Sequence, residues 1–136
     1  MIAVALCLVA ALTPSDLASI GERARIALAE HRFIELLPPR QAVRLELPSG
    51  AVGALTRGSL AARILTRRTL RHRTLSVELR RTELLDDRHG FLELVRRFEV
   101  RGSREVQQET VLIGAALAGS EWEVVEILVL EAGPGS

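Results

Sequence analysis

HRTLSVELRRTELLDDRHGFLELVRRFEVRGSREVQQETVLIGAALAGSEWEVVEILVLE, residues 72–131, is the stretch on which the fold turns. From Arg73 to Leu79 the apolar residues Leu75, Val77 and Leu79 alternate with Ser76, Glu78 and Arg80. Alternation sends successive side chains to opposite faces of a sheet, so this is a strand with one wet face. The run Asp86-Asp87-Arg88-His89-Gly90 supplies a turn, because Asp tolerates turn geometry and Gly takes positive φ without strain. Three long strands follow. Phe91–Arg101 carries Leu92, Leu94, Phe98 and Val100 on one parity; Arg96 interrupts that series and Val95 falls on the other, which predicts a bulge or strong twist near 95–97. After a tight turn at Gly102-Ser103, Glu105–Leu117 places Val111, Ile113, Ala115 and Leu117 on one face. Ala118-Gly119-Ser120 turns the chain again. Trp122–Leu130 then carries Trp122, Val124, Leu128 and Leu130 on one parity and Val125, Ile127 and Val129 on the other, as a strand covered on both faces would. Strands this long with short connections form a large antiparallel sheet whose inner face must be buried against something.

The residues before the meander supply the cover. Thr13-Pro14-Ser15-Asp16 is a helix start, with Thr as N-cap and Pro at the first helical position. Leu17, Ile20, Ala24, Ala27, Leu28 and His31 recur at helical spacing, and the helix ends near Arg32. Phe33–Leu37 reads as a short helical turn stopped by Pro38-Pro39. Ala42–Leu47 alternates as a strand, Pro48-Ser49-Gly50 turns it, and Val52–Leu55 is a short return strand. Thr56 is then expected to cap a second amphipathic helix, with Leu60, Ile64 and Leu65 inward, Ala61 in close packing, and Arg63, Arg67 and Arg68 outward.

Composition narrows the function classes. The chain has 136 residues, 48% of them hydrophobic and 26% charged, which suits one globular domain with one core. All 18 basic residues are Arg, Tyr is absent, and the net charge of +1 gives no electrostatic case for nucleic acid. Arg67, Arg68, Arg71, His72 and Arg73 form the only basic run; without interleaved aromatics it reads as a solvated helix end near the negative pole of the helix dipole. Cys7 stands alone, so no intrachain disulfide forms, and His31, His72 and His89 lack ligand spacing; no metal and no cofactor is expected. Met1–Leu12 is an unbroken apolar stretch, too short to span a bilayer as a helix. It suits the apolar core of a secretory signal with Val9-Ala10-Ala11 as cleavage site, although no basic residue precedes it. Read as a signal, it implies an extracytoplasmic protein with no transmembrane helix after processing; read as an apolar first segment packed on the domain, it implies a cytoplasmic one. The single domain is taken as residues 13–131, with a disordered tail over 132–136.

The order helix, short helix, strand pair, helix, long antiparallel strands resembles the nuclear transport factor two-like superfamily, which includes SnoaL-like cyclases and ketosteroid isomerases. Three motifs carry the likeness: Leu36-Leu37-Pro38-Pro39 leading into Val43-Arg44-Leu45-Glu46-Leu47; Leu55-Thr56-Arg57-Gly58-Ser59-Leu60-Ala61 opening the second helix; and the ending Gly119-Ser120-Glu121-Trp122-Glu123-Val124-Val125-Glu126-Ile127. Together they are similar to a small secreted bacterial branch of that superfamily with no assigned function, and they cover Pro14 to Glu131. The resemblance implies an α+β, cone-shaped fold in which a strongly curved antiparallel β-sheet wraps around N-terminal helices and leaves a conical pocket. Members that are enzymes use an acid or His base with Tyr or Asp donors. With no Tyr here, a Tyr oxyanion donor is excluded and no catalytic residue is carried over.

Two functions of different class follow as expectations. One is a non-catalytic extracytoplasmic domain that binds a small apolar ligand or a protein, dimerising through Val125, Ile127 and Val129 on the outer face of its sheet. The alternative is a small cofactor-free enzyme of isomerase, cyclase or dehydratase type, moving a proton on an apolar substrate in the cone. A third is a scaffold whose cone is filled by its own side chains. The candidate pocket residues are His31, Arg96, Phe98, Gln108, Thr110 and Trp122, with Arg96 foremost, because a polar side chain on an apolar parity must find a partner or a ligand.

Overall fold

The computed structural model describes residues 15–48 and 55–134. Helix α1 spans Ser15–Glu30, followed by strands β1 (Ala42–Glu46) and β2 (Leu55–Arg57), helix α2 (Gly58–Leu70), and strands β3 (His72–Leu84), β4 (His89–Val100), β5 (Val106–Ala118) and β6 (Glu121–Pro134). The strands form one curved, unclosed sheet in the order β2-β1-β6-β5-β4-β3. This is the expected α+β cone. The sheet is antiparallel throughout except where β1 runs parallel to β6, pairing Leu45 with Ile127, so it is mixed.

The predicted apolar stripe of α1 is the one buried: Leu17, Ile20, Ala24, Ala27 and Leu28 pack with Leu92 and Leu94 of β4, Val111, Ile113 and Ala115 of β5, and Trp122, Val124, Ile127 and Val129 of β6. The middle of the cone is therefore filled by side chains. Helix α1 ends two residues earlier than expected. His31 adopts φ 59°, and the Arg32 amide donates to the Ala27 carbonyl at 3.0 Å, closing the helix in the left-handed form that glycine usually provides. Phe33–Leu37 makes a single hydrogen-bonded turn, with the Leu36 and Leu37 amides donating to the Phe33 carbonyl.

Several boundaries differ from the sequence reading, each for a local reason. The return strand is Leu55–Arg57, so Thr56 lies in a strand and Arg57 is the N-cap of α2, without a side-chain cap. Gly58 starts that helix because a Cβ there would lie 1.8 Å from the Pro38 carbonyl oxygen, and its amide donates to the Gln41 carbonyl at 2.8 Å. Only glycine allows that approach. In α2 the inner face is Ala61, Ala62, Leu65 and Thr69, while Leu60 is exposed and Arg68 turns inward, the reverse of the expectation for both. Strand β6 runs on to Pro134, past the expected strand end at Leu130 and into the stretch 132–136 expected as a disordered tail. Thr13, Pro14, Cys7, the apolar segment Met1–Leu12, the turn at Ser49-Gly50 and most of the Val52–Leu55 strand lie outside the described residues.

The irregularities of the meander are displaced from β4. Strand β4 pairs in unbroken register with β5 through 95–97, so Arg96 stays on the inner parity between Leu94 and Phe98. The extra residues are in its neighbours. Leu75 and Arg80 are unmatched in β3 against β4, and Val125 is unmatched in β6 against β5. An extra residue inverts the alternation beyond it. In β3 it puts His72 and Thr74 on the inner side and leaves Leu75 exposed. In β6 it moves the inner parity from Trp122 and Val124 to Ile127 and Val129. The expected dimer patch is thereby corrected: Ile127 and Val129, at 1% and 4% exposure, belong to the core, and only Val125 reaches the outer surface.

Candidate functional site

One end of the cone is polar. It is built where α1 and α2 finish, where β3 and β5 begin, and where β4 ends. Arg96 of β4 and Glu109 of β5 sit directly opposite each other in register, and both have 0% exposure. Arg96 Nη1 donates to Glu109 Oε1 at 2.9 Å. Arg68, from the last turn of α2, grips the same carboxylate with both guanidinium nitrogens, Nη1 to Oε1 at 3.2 Å and Nη2 to Oε2 at 2.6 Å. Arg96 Nε donates to the Thr74 hydroxyl at 3.0 Å, which in turn donates to the Leu28 carbonyl at 3.4 Å, tying the network to α1. Arg96 Nη1 also meets His72 Nδ1 at 3.1 Å. The His72 ring stacks on Phe98, centroids 4.2 Å apart, and the Arg96 guanidinium carbon lies 4.5 Å from the Phe98 centroid.

These contacts assign protonation states. A guanidinium only donates, so His72 Nδ1 must accept, and the neutral ring carries its proton on Nε2. Consistently, burial first and then the Arg96 and Arg68 charges push the His72 pKa down to about 4. His31 is also held below its ordinary value by burial, with Arg96 and Arg101 adding to the effect. Burial pushes Glu109 up, but the hydrogen bonds and charges of Arg68 and Arg96 outweigh it, and the carboxyl ends below its ordinary value. Burial lowers Arg96, and Glu109 opposes the shift. The network thus holds two guanidiniums against one carboxylate. Two buried polar atoms at this end have no hydrogen-bond partner: Arg96 Nη2 and His31 Nδ1.

The network opens on a cleft of about 420 Å³ lined by Arg67, Arg68, Arg71 and His72 together with Leu47, Pro48, Ile64 and Glu131. That volume lies in the range of small-molecule sites. The run Arg67–Arg73, read from sequence as a solvated helix end, in fact contributes most of the cleft's polar wall.

The six candidate residues divide. Arg96, Phe98 and His72's neighbour His31 come to this end. Gln108 and Thr110 are half-buried on the opposite parity of β5 from Glu109, so they point away from the cone's inner face. Trp122 lies near the far end of β6, about 30 Å along the strand from Glu131 at the usual rise. It is 8% exposed, and its Nε1 lacks a partner beside a separate groove of about 290 Å³ that includes Ile20, Leu36 and Pro38. The residues missed were Glu109, Arg68, His72 and Thr74. A signal existed for Glu109, which shares its parity with Val111, Ile113 and Ala115. For His72 and Thr74 there was none, because the bulge at Leu75 decides their face. Among the described residues no group of three or more His, Cys, Asp or Glu is placed to hold a metal ion, and no helix is long and apolar enough to cross a membrane.

No family model matches the chain, and no curated protein matches it in sequence. Solved structures do. A ketosteroid isomerase-like protein from Erwinia carotovora atroseptica superposes with a TM-score of 0.69 at 10% identity, covering 88% of this chain and 96% of that one. A domain of unknown function with a cystatin-like fold from Nostoc punctiforme gives 0.63 at 12% identity, covering 88% and 78%. An LEH-like epoxide hydrolase from M. tuberculosis gives 0.57 at 14% identity, covering 85% and 81%. Likeness at these identities shows the fold, which is the nuclear transport factor two-like cone, and leaves function to the site.

Proposed function

We propose that this nuclear transport factor two-like domain is a non-catalytic small-molecule binding module whose ligand site is the cleft at the polar end of the cone. The observation that carries the reading is the coupling of cleft wall to buried network. Arg68 and His72 line the cleft, both contact the fully buried Arg96–Glu109 pair, and Arg96 still has unfilled donors on Nη2. A ligand held by Arg68 and His72 would therefore be felt by the buried pair behind them.

The same contacts argue against proton transfer. Both Glu109 oxygens are taken by guanidinium donors and the group is held as an anion, so it has no basicity to offer. His72 has its only lone pair engaged by Arg96. The alternative of a small enzyme is left with His31, whose buried Nδ1 has no partner. The apolar segment Met1–Leu12 supports the further reading that the domain works outside the cytoplasm; N-terminal sequencing of protein expressed from the whole chain tests it, and an intact Met1 would sink it.

The binding reading is tested by a thermal-shift screen of small molecules against the wild type and Ile64→Trp, which fills the cleft from its half-buried wall. Compounds that raise Tm in the wild type and lose that effect in the variant are expected. If every stabilising compound acts equally on both proteins, the cleft is not the site.

A further inference from the structure

We infer that the ligand of this cleft is an organic monoanion, a carboxylate carrying a short apolar tail. The inference rests on the binding reading above and adds the ligand's charge and shape. Four guanidiniums, Arg67, Arg68, Arg71 and Arg96, stand in or directly behind the cleft against two carboxylates, Glu109 and Glu131. Glu109 is fully engaged with Arg96 and Arg68, so it neutralises charge inside the network and leaves Arg67 and Arg71 facing the cleft. Neither histidine adds or removes charge near neutral pH, since both His31 and His72 are shifted towards their neutral forms.

The donors match an anion in kind as well as in number. Guanidiniums and a neutral ring bearing its proton on Nε2 have hydrogens to give and no lone pair to offer, so the cleft is built of donors with Glu131 as its single acceptor side chain. Arg96 does not line the cleft; it stands behind Arg68 and His72 and adds its positive charge to the field there. A carboxylate suits the Arg67 and Arg71 donors of the cleft; an amine would add charge to an already cationic wall. The remaining lining is apolar: Leu47 and Ile64 are half-buried against the core, and Pro48 completes that side, which suits a hydrocarbon tail and disfavours a bare inorganic ion.

The test is calorimetric titration of the whole protein with octanoate, octanamide and octylamine, repeated in Arg67→Gln/Arg71→Gln, two exposed positions whose loss leaves the core intact. Octanoate is expected to bind at least ~10-fold tighter than octanamide, to weaken ~10-fold in the double variant, and to weaken further as salt rises. Trp122, the chain's only tryptophan, lies at the opposite end and reports on the other groove, so its fluorescence is expected to stay unchanged. Octanamide binding as tightly as octanoate overturns the anion inference while the cleft remains a binding site. No binding of any of the three, or binding that alters Trp122 emission and ignores Arg67→Gln/Arg71→Gln, overturns both.

Discussion

Arg96 and Glu109 show why a buried ion pair should be read as a statement about specificity before stability. Each loses its hydration completely, and their attraction in the interior roughly offsets that loss. Removing one partner is a different matter, because the other is stranded. Glu109→Gln is expected to cost about 3–5 kcal/mol in denaturant unfolding, since it leaves Arg96 buried without its counter-charge. A loss below 1 kcal/mol would mean that water reaches the pair. His72 adds a pH dependence whose sign is fixed. Its pKa is about 4 when folded and near 6.5 when unfolded, so between those values the unfolded chain binds more protons. Stability contributed by neutral His72 is therefore present above pH 6.5 and is lost as pH falls towards 4. Glu109, held below 4.5, extends the loss at still lower pH. Unfolding curves across this range should show the acid-side fall, and His72→Gln should flatten its upper part; an unchanged slope in that variant would show that the ring is not shielded.

At the scale of elements, the bulges matter more than the strands. Strand β3 has apolar residues at Leu75, Val77 and Leu79, and simple alternation would bury all three. The unmatched Leu75 instead inverts the face of everything before it, bringing His72 and Thr74 inward beside Arg96. Deleting Leu75 should remove the bulge and leave Thr74 opposite Phe98 and Ser76 opposite Arg97 in continuous register, so His72 and Thr74 stay inward and the His72 pKa stays near 4 in an NMR titration. A pKa back near 6.5 in the deletion variant would show that the pairing of Thr74 with Phe98 is not what faces the ring inward. The junction of the first turn with α2 is just as specific. Gly58→Ala puts a methyl carbon 1.8 Å from the Pro38 carbonyl oxygen, a clash with backbone that no rotamer relieves. A destabilisation of about 3 kcal/mol or more is expected by thermal unfolding. These devices set the limit of what the residues alone disclosed. Period-two alternation and the stripe of α1 revealed the helices, the meander and the core. Register and bulge position arise from pairing between distant strands, so the face of Leu75, the inversion at Val125 and the Arg96–Glu109 encounter were not legible. Arg96 itself was, as a charge among apolar neighbours; its partner met the same criterion and was passed over.

Across the whole molecule the two ends of the cone do different work. Core side chains fill the middle, so the fold is not an open apolar funnel. One end holds the ionic network and the arginine-lined cleft. The other holds Trp122 and its groove, while Gln108 and Thr110 flank Glu109 at the polar end and face away from the interior. A conical fold shared with isomerase-like, hydrolase-like and unassigned domains carries here a cleft walled mainly by donors, for which we propose binding. The most direct measurement of that claim is a crystal structure grown with octanoate. The predicted result is a carboxylate in the cleft, with an oxygen about 2.7–2.9 Å from a guanidinium nitrogen of Arg67 or Arg71 and the tail against Leu47 and Ile64. Octanoate lodged instead in the groove beside Trp122, with the arginine cleft holding solvent alone, would contradict it.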